Sequence, residues 1–460
     1  MRPGKNQHIH FIAIGGSAMH NLAIALSQQG FRVTGSDDDI FEPSRARLLK
    51  HGLLPPEMGW YPQRITTDTH AVILGMHARI DNPELLIAQK LGLRIYSFPE
   101  YIFEVKKSAN RIVIAGSHGK TTITSMIAHV LRHLGREFDY LIGAGIMGFE
   151  NMVKISEAPL MILEGDEYLS SALDPTPKFI RYNHKIGLIS GIAWDHINAF
   201  PTRELYNSQF EKFIENTPGD GELIYNEEDK TLKQLVEKKG GKFKTIPYST
   251  PPYRVRNETY HYTFESDSIP LNIFGKHNML NLAGALKVLQ RLGYEESQSV
   301  PILKSFSGAA NRLEKIYDHQ EIIVYKDFAH SPSKLRSTTE AIREMYPNRK
   351  IINCFELHTY SSLNKNFIPE YKNSLSQGDI NIVFINDHTL ELKKMEYLDE
   401  RIIRKGFSNN DLYIYRKPEE LIQFLITQIK INTVLLMMSS GNFGGSTLDQ
   451  LIDYLDKKFK

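Results

Sequence analysis

The sequence predicts three α/β units in series, each a largely parallel sheet covered by helices, and three observations carry that expectation. Short apolar runs alternate with helix-period segments along nearly the whole chain, the pattern of repeated strand–helix–strand units. The length of 460 residues exceeds one ordinary hydrophobic core and, at about 150 residues per domain, suggests roughly three. The strand Ile112-Val113-Ile114 runs into Ala115-Gly116-Ser117-His118-Gly119-Lys120-Thr121-Thr122 ahead of an apolar-periodic helix, a strand–turn–helix order suited to phosphate.

In the first unit an apolar run from Ile9 to Ile14 ends in Gly15-Gly16-Ser17-Ala18-Met19. A helix marked by Leu22, Ala23, Ala25 and Leu26 follows and stops at Gly30. A second strand, Phe31 to Thr34, ends at Gly35-Ser36-Asp37, which opens a Rossmann-like unit with an acid placed for a ribose hydroxyl. The dinucleotide fingerprint is broken, because Ala13 and Ala18 occupy the outer glycine positions. Three readings stand: a nicotinamide cofactor, another phosphorylated ligand at the same helix N-terminus, or a structural turn. Further strands are expected at Ala71 to Gly75 and Leu93 to Tyr96, with Asp81-Asn82-Pro83-Glu84 opening the helix between them.

Lys106-Lys107-Ser108 is a polar break, and the phosphate loop opens the second unit. Its glycines let backbone N–H groups converge on phosphate oxygens, Lys120 adds a point charge, and the Thr121 hydroxyl can hold Mg²⁺. The full pattern would place glycine where Ile114 stands. An incidental glycine-rich turn is the alternative, and it leaves the Gly-Lys-Thr-Thr order unexplained. A strand from Leu160 to Leu163 ends in Glu164-Gly165-Asp166-Glu167-Tyr168, and another from Ile186 to Ile192 ends in Ala193-Trp194-Asp195-His196. In open α/β sheets ligands sit at the carboxyl ends of strands, where both acidic clusters fall. Singly, Glu164 reads as a solvated loop acid and His196 as a structural histidine; beside Lys120 and Thr121 they read as Mg²⁺ ligands, since that cation prefers oxygen donors. Residues 217 to 272, rich in Lys, Glu, Pro and Tyr with short alternating segments such as Tyr260 to Phe264, read as the edge of this domain. Asn278 and Asn281, three apart at a helix entry, either cap the helix or hydrogen-bond a base.

From Pro301 a third unit begins, with strands expected at Ile322 to Tyr325, Ile351 to Phe355, Ile382 to Ile385 and Thr433 to Met438. Asp327-Phe328-Ala329-His330-Ser331-Pro332 and Ser439-Ser440-Gly441-Asn442-Phe443-Gly444-Gly445 lie at their carboxyl ends; the second is open between an anion site and a glycine-rich connection. Hydrophobic content of 41% with 23% charged residues fits a soluble globular chain, and a net charge of +2 supplies no global field to recruit nucleic acid or an anionic membrane. Cys354 stands alone, which excludes an intramolecular disulfide and fits a reducing compartment. No segment approaches the ~18 consecutive apolar residues of a membrane span. The first residues lack the roughly 7 to 15 apolar positions of a signal peptide, so a cytoplasmic protein is expected.

Six stretches now stand in order: Gly116-Ser117-His118-Gly119-Lys120-Thr121-Thr122; Glu164-Gly165-Asp166-Glu167; Asp195-His196; Gly275-Lys276-His277-Asn278-Met279-Leu280-Asn281; Asn311-Arg312-Leu313-Glu314; and Asp327-Phe328-Ala329-His330-Ser331-Pro332. Together they resemble the Mur ligase family, the ATP-dependent amide-forming enzymes of peptidoglycan assembly. The family's phosphate loop also lacks the distal glycine, which accounts for Ile114. Ser331 and Lys326 depart from a histidine and an aspartate often seen there.

The resemblance implies three domains: a Rossmann-like UDP-N-acetylmuramate domain over 1–107, a central P-loop ATPase domain over 108–309, and a Rossmann-like amino-substrate domain over 310–460. It implies ATP and Mg²⁺ as cofactors, and UDP-N-acetylmuramate with a cell-wall peptide or amino acid as partners. No nucleic acid or membrane partner is expected, and the state is a monomer or weak homodimer. Gly15, Gly16, Ser17 and Asp37 would hold the UDP-sugar. Gly116, His118, Gly119, Lys120, Thr121 and Thr122 would hold the ATP phosphates, with Asn278 and Asn281 on the adenine side and Arg312 and Asp327 reaching phosphate and ribose. Thr121 and Glu164 would bind one Mg²⁺ and His196 a second. His330 and His358 would face the amino substrate, and Lys120, His196 and Arg312 would be the catalytic set.

Two members of the family use UDP-N-acetylmuramate, one adding L-alanine and one attaching the intact tripeptide L-Ala-γ-D-Glu-meso-diaminopimelate in peptidoglycan recycling. The alanine-adding motif resembles F-Q-P-H-R-x-x-R. Here Phe355-Glu356-Leu357-His358-Thr359-Tyr360-Ser361-Ser362 loses both arginines. Phe41-Glu42-Pro43-Ser44, Asp166-Glu167-Tyr168 with Asp174, Lys178-Phe179 and Tyr182, and Ser439 to Gly445 resemble the tripeptide enzyme. The expectation is therefore the tripeptide ligase, with the alanine ligase as the alternative.

Overall fold

Apolar strands flanked by helices on both faces favour parallel pairing, and two of the three large sheets follow that rule except at one edge strand each. The computed structural model describes residues 7–145, 148–194, 199–265, 267–306, 313–445 and 447–459. Two compact units emerge: Met1–Ile192 with Arg203–Ser249 and Leu282–Ile302, and Ala193–Thr202 with Thr250–Asn281 and Leu303–Lys460.

The first sheet is wholly parallel, in the order Arg32–Ser36, His8–Ile12, Thr69–Leu74, Arg94–Ser97. Its leading strand stops at Ile12 rather than at Ile14, because Ala13 turns into the left-handed region at φ +67. Helices begin where side chains can satisfy their first N–H groups. Asn82 accepts from the Glu84 and Leu85 amides to start Pro83–Lys90, and Ser97 with Glu100 forms a capping box on Phe98–Val105. Inside this domain a polar chain crosses the core. Thr69 Oγ1 lies 3.3 Å from His8 Nδ1, His8 Nε2 lies 2.7 Å from Thr34 Oγ1, His10 Nδ1 lies 2.8 Å from the same hydroxyl, and His10 Nε2 lies 3.1 Å from Glu84 Oε2.

The polar break after this domain is not solvated at its first lysine. Lys106 is buried, its Nζ 2.6 Å from Asp139 Oδ2 and donating to the Ser156 and Ala158 carbonyls. The second sheet runs Lys244–Tyr248, Glu222–Asn226, Ile186–Ile189, Asn110–Ala115, Leu160–Glu164, Asp139–Leu141, Val153–Lys154, parallel but for the last strand. The strand expected over Ile186 to Ile192 ends at Ile189. Ser190 there bonds the Ala115 and His118 carbonyls, and Gly191 takes φ +149. Residues 217–272 are richer than a domain edge: they supply Glu222–Asn226 and Lys244–Tyr248, and then a separate antiparallel sheet of Tyr253–Arg256, Thr259–Phe264 and Asp267–Leu271.

The third large sheet runs Glu314–His319, Ile322–Asp327, Thr433–Met438, Lys350–Glu356, Ile380–Phe384, Tyr413–Tyr415, with only the first strand antiparallel. Val324, Ile352, Cys354, Leu435 and Met437 fill its core, so the single cysteine is a buried packing residue. Among the described residues no helix is long and apolar enough to cross a membrane.

Candidate functional site

The phosphate loop emerges between two strands whose carboxyl ends carry its partners. Ile114 lies opposite Glu164, and Ala115 lies opposite Ile189, so the loop turns out over the ends of Leu160–Glu164 and Ile186–Ile189. Gly116 sits at φ +129, and a Cβ there would stand 2.2 Å from Ser190 Oγ; no other residue fits. Gly119, at φ +80, caps the helix Lys120–His133, and its left-handed turn aims the N-terminus of that helix at the loop. Ser117 N donates to Gly191 O at 2.9 Å, tying the loop to the neighbouring turn. Lys120, Thr121 and Thr122 occupy the first helical turn, as expected.

Two carboxylates grip that turn. Thr121 Oγ1 donates to Glu164 Oε1 at 2.8 Å, while Gly143 N donates to Glu164 Oε2 at 2.7 Å. Burial pushes the Glu164 carboxyl above its usual range despite the Lys120 charge and both hydrogen bonds. A half-buried carboxylate beside a hydroxyl is a hard-oxygen pair, and a divalent cation would relieve the cost of its partial desolvation, so these residues fit Mg²⁺. Lys120 Nζ lies 2.7 Å from Glu167 Oε2. Burial opposes the Lys120 charge, but Glu167, Asp166 and Glu164 outweigh it and hold its pKa above the ordinary value. Tyr206 Oη lies 3.2 Å from Glu167 Oε1 and 2.8 Å from Ser117 Oγ. Asp166 points elsewhere, to Lys178 Nζ at 2.9 Å; burial opposes its ionisation, yet Lys178 and Lys120 keep its carboxyl below the ordinary range.

At the first domain's turn Gly15 N donates to Asp37 Oδ2 at 2.7 Å, so Asp37 braces the glycine turn itself. Burial raises the Asp37 carboxyl to about 6 despite that bond. Gly16 precedes the helix Ser17–Gln28, with Ser17 exposed at its first position.

In the second unit both asparagine amide groups donate to nearby oxygens. Asn278 Nδ2 donates to Phe274 O at 2.9 Å and Asn281 Nδ2 to Asn278 Oδ1 at 3.1 Å. Asp327 is buried and accepts from Leu313 N and Ala329 N, at 2.7 and 2.8 Å. His330 Nδ1 lies 2.9 Å from Phe328 O. His358 is half-buried, with Ser440 Oγ 3.4 Å from Nδ1; burial lowers its pKa, partly offset by Glu356. Glu356 is buried and accepts from Phe443 N at 2.9 Å and from Ser439 Oγ, so the stretch Ser439 to Gly445 folds onto a carboxylate of its own chain. Thr359 and Ser362 close a turn on each other: Ser362 N donates to Thr359 Oγ1 at 3.1 Å and Ser362 Oγ to Thr359 O at 3.0 Å. Asp195, His196, Asn311 and Arg312 lie outside the described residues.

The structure brings Lys120, Thr121 and Glu164 together and adds Glu167 and Tyr206, for which the sequence suggests no separate role. Glu167 had a signal, its place at the carboxyl end of a strand beside the loop. Tyr206 had none, being one aromatic on the buried face of Arg203–Glu215.

Comparison with known proteins agrees with this layout. Residues 8–105 match the Mur ligase family, catalytic domain; residues 114–289 match the Mur ligase middle domain; and residues 311–441 match the Mur ligase, glutamate ligase domain. A UDP-N-acetylmuramate–L-alanine ligase of Sulfurihydrogenibium sp. is 30% identical over 99% of each chain. Among solved structures, a UDP-N-acetylmuramate-alanine ligase of Thermotoga maritima superposes with TM-score 0.69 at 23% identity, covering 98% of this chain and 100% of its own. A murein peptide ligase of Psychrobacter arcticus gives TM-score 0.64 at 21% identity, over 98% and 99% of the two chains.

Proposed function

The chain belongs to the Mur ligase family, ATP-dependent ligases of peptidoglycan synthesis, and on that premise we propose that it joins the carboxylate of UDP-N-acetylmuramate to an amino substrate. The observation that carries the reading is the phosphate loop with Thr121 on Glu164 and Lys120 on Glu167. In this proposal domains 1–107, 108–309 and 310–460 bind sugar nucleotide, ATP and acceptor, and the protein acts in the cytoplasm. Gly15, Gly16 and Ser17 receive the diphosphate. His196 and Arg312 keep their proposed roles as second metal ligand and phosphate contact. His330 and His358 keep theirs toward the acceptor.

A carboxylate does not acylate an amine at neutral pH, because its carbonyl is a weak electrophile and oxide a poor leaving group. Transfer of the ATP γ-phosphoryl to the sugar carboxylate forms an acyl phosphate. The Lys120 ammonium and the loop amides stabilise charge spread over the phosphoryl oxygens during that transfer. Thr121 and Glu164 would hold Mg²⁺, which neutralises further phosphate charge when bound. The neutral amine then attacks the acyl carbon, and collapse of the tetrahedral intermediate releases phosphate and leaves the amide.

For the acceptor, the names of the relatives support L-alanine better than the tripeptide that the residues first suggested. The second reading, a tripeptide acceptor, rests on Thr359 and Ser362. They close a turn with their own polar atoms where the alanine-adding motif has arginines, and Ser362 is fully buried. Mass spectrometry of the product formed from UDP-N-acetylmuramate and ATP, with L-alanine and L-Ala-γ-D-Glu-meso-diaminopimelate in competition, separates the two. The alanyl product sinks the tripeptide reading, the tripeptidyl product sinks the alanine reading, and ATP turnover indifferent to the sugar nucleotide sinks the ligase itself.

A further inference from the structure

We propose that Glu167 and Tyr206 are positioning residues of the phosphate loop, a buried carboxylate and phenol that set Lys120 and Ser117 as one unit and surrender the lysine to nucleotide phosphate. The inference rests on the nucleotide-binding part of the reading above and deepens it. Four side chains form one continuous path. Lys120 Nζ lies 2.7 Å from Glu167 Oε2, Tyr206 Oη donates to Glu167 Oε1 at 3.2 Å, and Tyr206 Oη lies 2.8 Å from Ser117 Oγ. Ser117 N is itself tied to Gly191 O at 2.9 Å. Glu167 and Tyr206 are both 0% exposed.

The geometry divides the labour between the two neighbouring acids. Glu164 takes the Gly143 amide and the Thr121 hydroxyl, the latter an oxygen that pairs with its own for a metal, whereas Glu167 takes the lysine. A carboxylate 2.7 Å from an ammonium is a charge-assisted bond, and phosphate oxygens approaching the loop must compete with it for the same cation. Glu167 thus does two opposed things: it fixes the direction from which Lys120 reaches the phosphates, and it taxes their binding with competition and with its own negative charge. Tyr206 keeps that carboxylate from following the lysine, because its ring is locked against Phe210 at 5.3 Å and its hydroxyl binds both Glu167 and the loop. Glu167 touches no reacting atom in this account; it acts through Lys120.

The test uses the full-length protein and two isosteric variants, Glu167→Gln and Tyr206→Phe, with Mg²⁺-ADP binding by calorimetry and steady-state ligation kinetics. Glu167→Gln is expected to bind Mg²⁺-ADP about threefold to tenfold tighter while kcat falls about tenfold or more, since competition and precise lysine placement are lost together. Tyr206→Phe should lower kcat without weakening Mg²⁺-ADP binding. A merely structural role would weaken binding and turnover in parallel. Parallel weakening in both variants, or an ADP affinity of Glu167→Gln within twofold of the parent, overturns the proposal. Should Glu167→Gln not fold, Tyr206→Phe decides alone: an unchanged kcat refutes it. If the parent binds Mg²⁺-ADP but ligates no acceptor, the ligase reading fails, and the ADP affinity of Glu167→Gln still decides this one.

Discussion

Asp37 shows how far a single side chain can depart from what its position suggests. Placed after the second strand it reads as a ribose acceptor, yet its Oδ2 takes the Gly15 N–H and its carboxyl is raised by burial to about 6 from 3.8. Between those values the folded chain holds a proton that the unfolded chain has released, so the Asp37 contribution to stability is complete below pH 4 and is lost as pH rises through 6. Urea midpoints measured from pH 4 to 7 should therefore fall for the parent relative to Asp37→Asn, which keeps the acceptor and cannot ionise; parallel curves would refute this. The residues legible in advance were those whose role is written in their neighbours: Lys120 and Thr121 follow a glycine at a helix start, and Glu164 ends a strand beside them. Tyr206 was not, because its partner Glu167 lies 39 residues away. Spacing in sequence carries no trace of such a meeting.

At the scale of elements the periodic signals worked and the boundaries moved for local reasons. Strands expected at Ile9 to Ile14 and Ile186 to Ile192 both end early, one at the left-handed Ala13 and the other where Ser190 turns back to cap the phosphate loop. At the second, the lost residues Ser190 and Gly191 bond the phosphate loop. Residues 217–272 were legible only in part: the alternation from Tyr260 to Phe264 is the strand Thr259–Phe264, while two strands of the central sheet and two partners in the antiparallel sheet went unread. Strands of four or five residues offer too few positions for a period of two to stand out. The helix Pro83–Lys90 is the element with the most explicit start. Asn82 Oδ1 accepts two of its first amides, and Glu84 behind them receives His10 and the Tyr61 N–H. Replacing Asn82 by alanine should cost about 1 kcal/mol of stability in urea titration, and an unchanged midpoint would remove the cap from the account.

Across the whole molecule the three family matches follow one another along the chain, and the Gly15-Gly16 turn proposed for the sugar nucleotide and the phosphate loop fall in different matched segments, 8–105 and 114–289. Lys120→Ala is therefore expected to reduce ligation by about a thousandfold or more, while UDP-N-acetylmuramate affinity by calorimetry stays within about twofold, as for distant independent sites. Loss of both would mean that the two segments fold or bind as one. Within the first segment, the line from Thr69 through His8, Thr34 and His10 to Glu84 has a consequence that distances alone do not show. The Thr34 hydroxyl owns one proton and faces two imidazoles, so it can give to only one of them. Where His10 Nδ1 accepts, Thr34 must give to it, His8 must give to Thr34, and Thr69 must give to His8; where His10 Nδ1 donates, all three bonds reverse. His8, held neutral down to about pH 4 mainly by burial, is thus a one-bit register: which of its nitrogens carries hydrogen states which way a neighbour that water never touches turns toward Thr34.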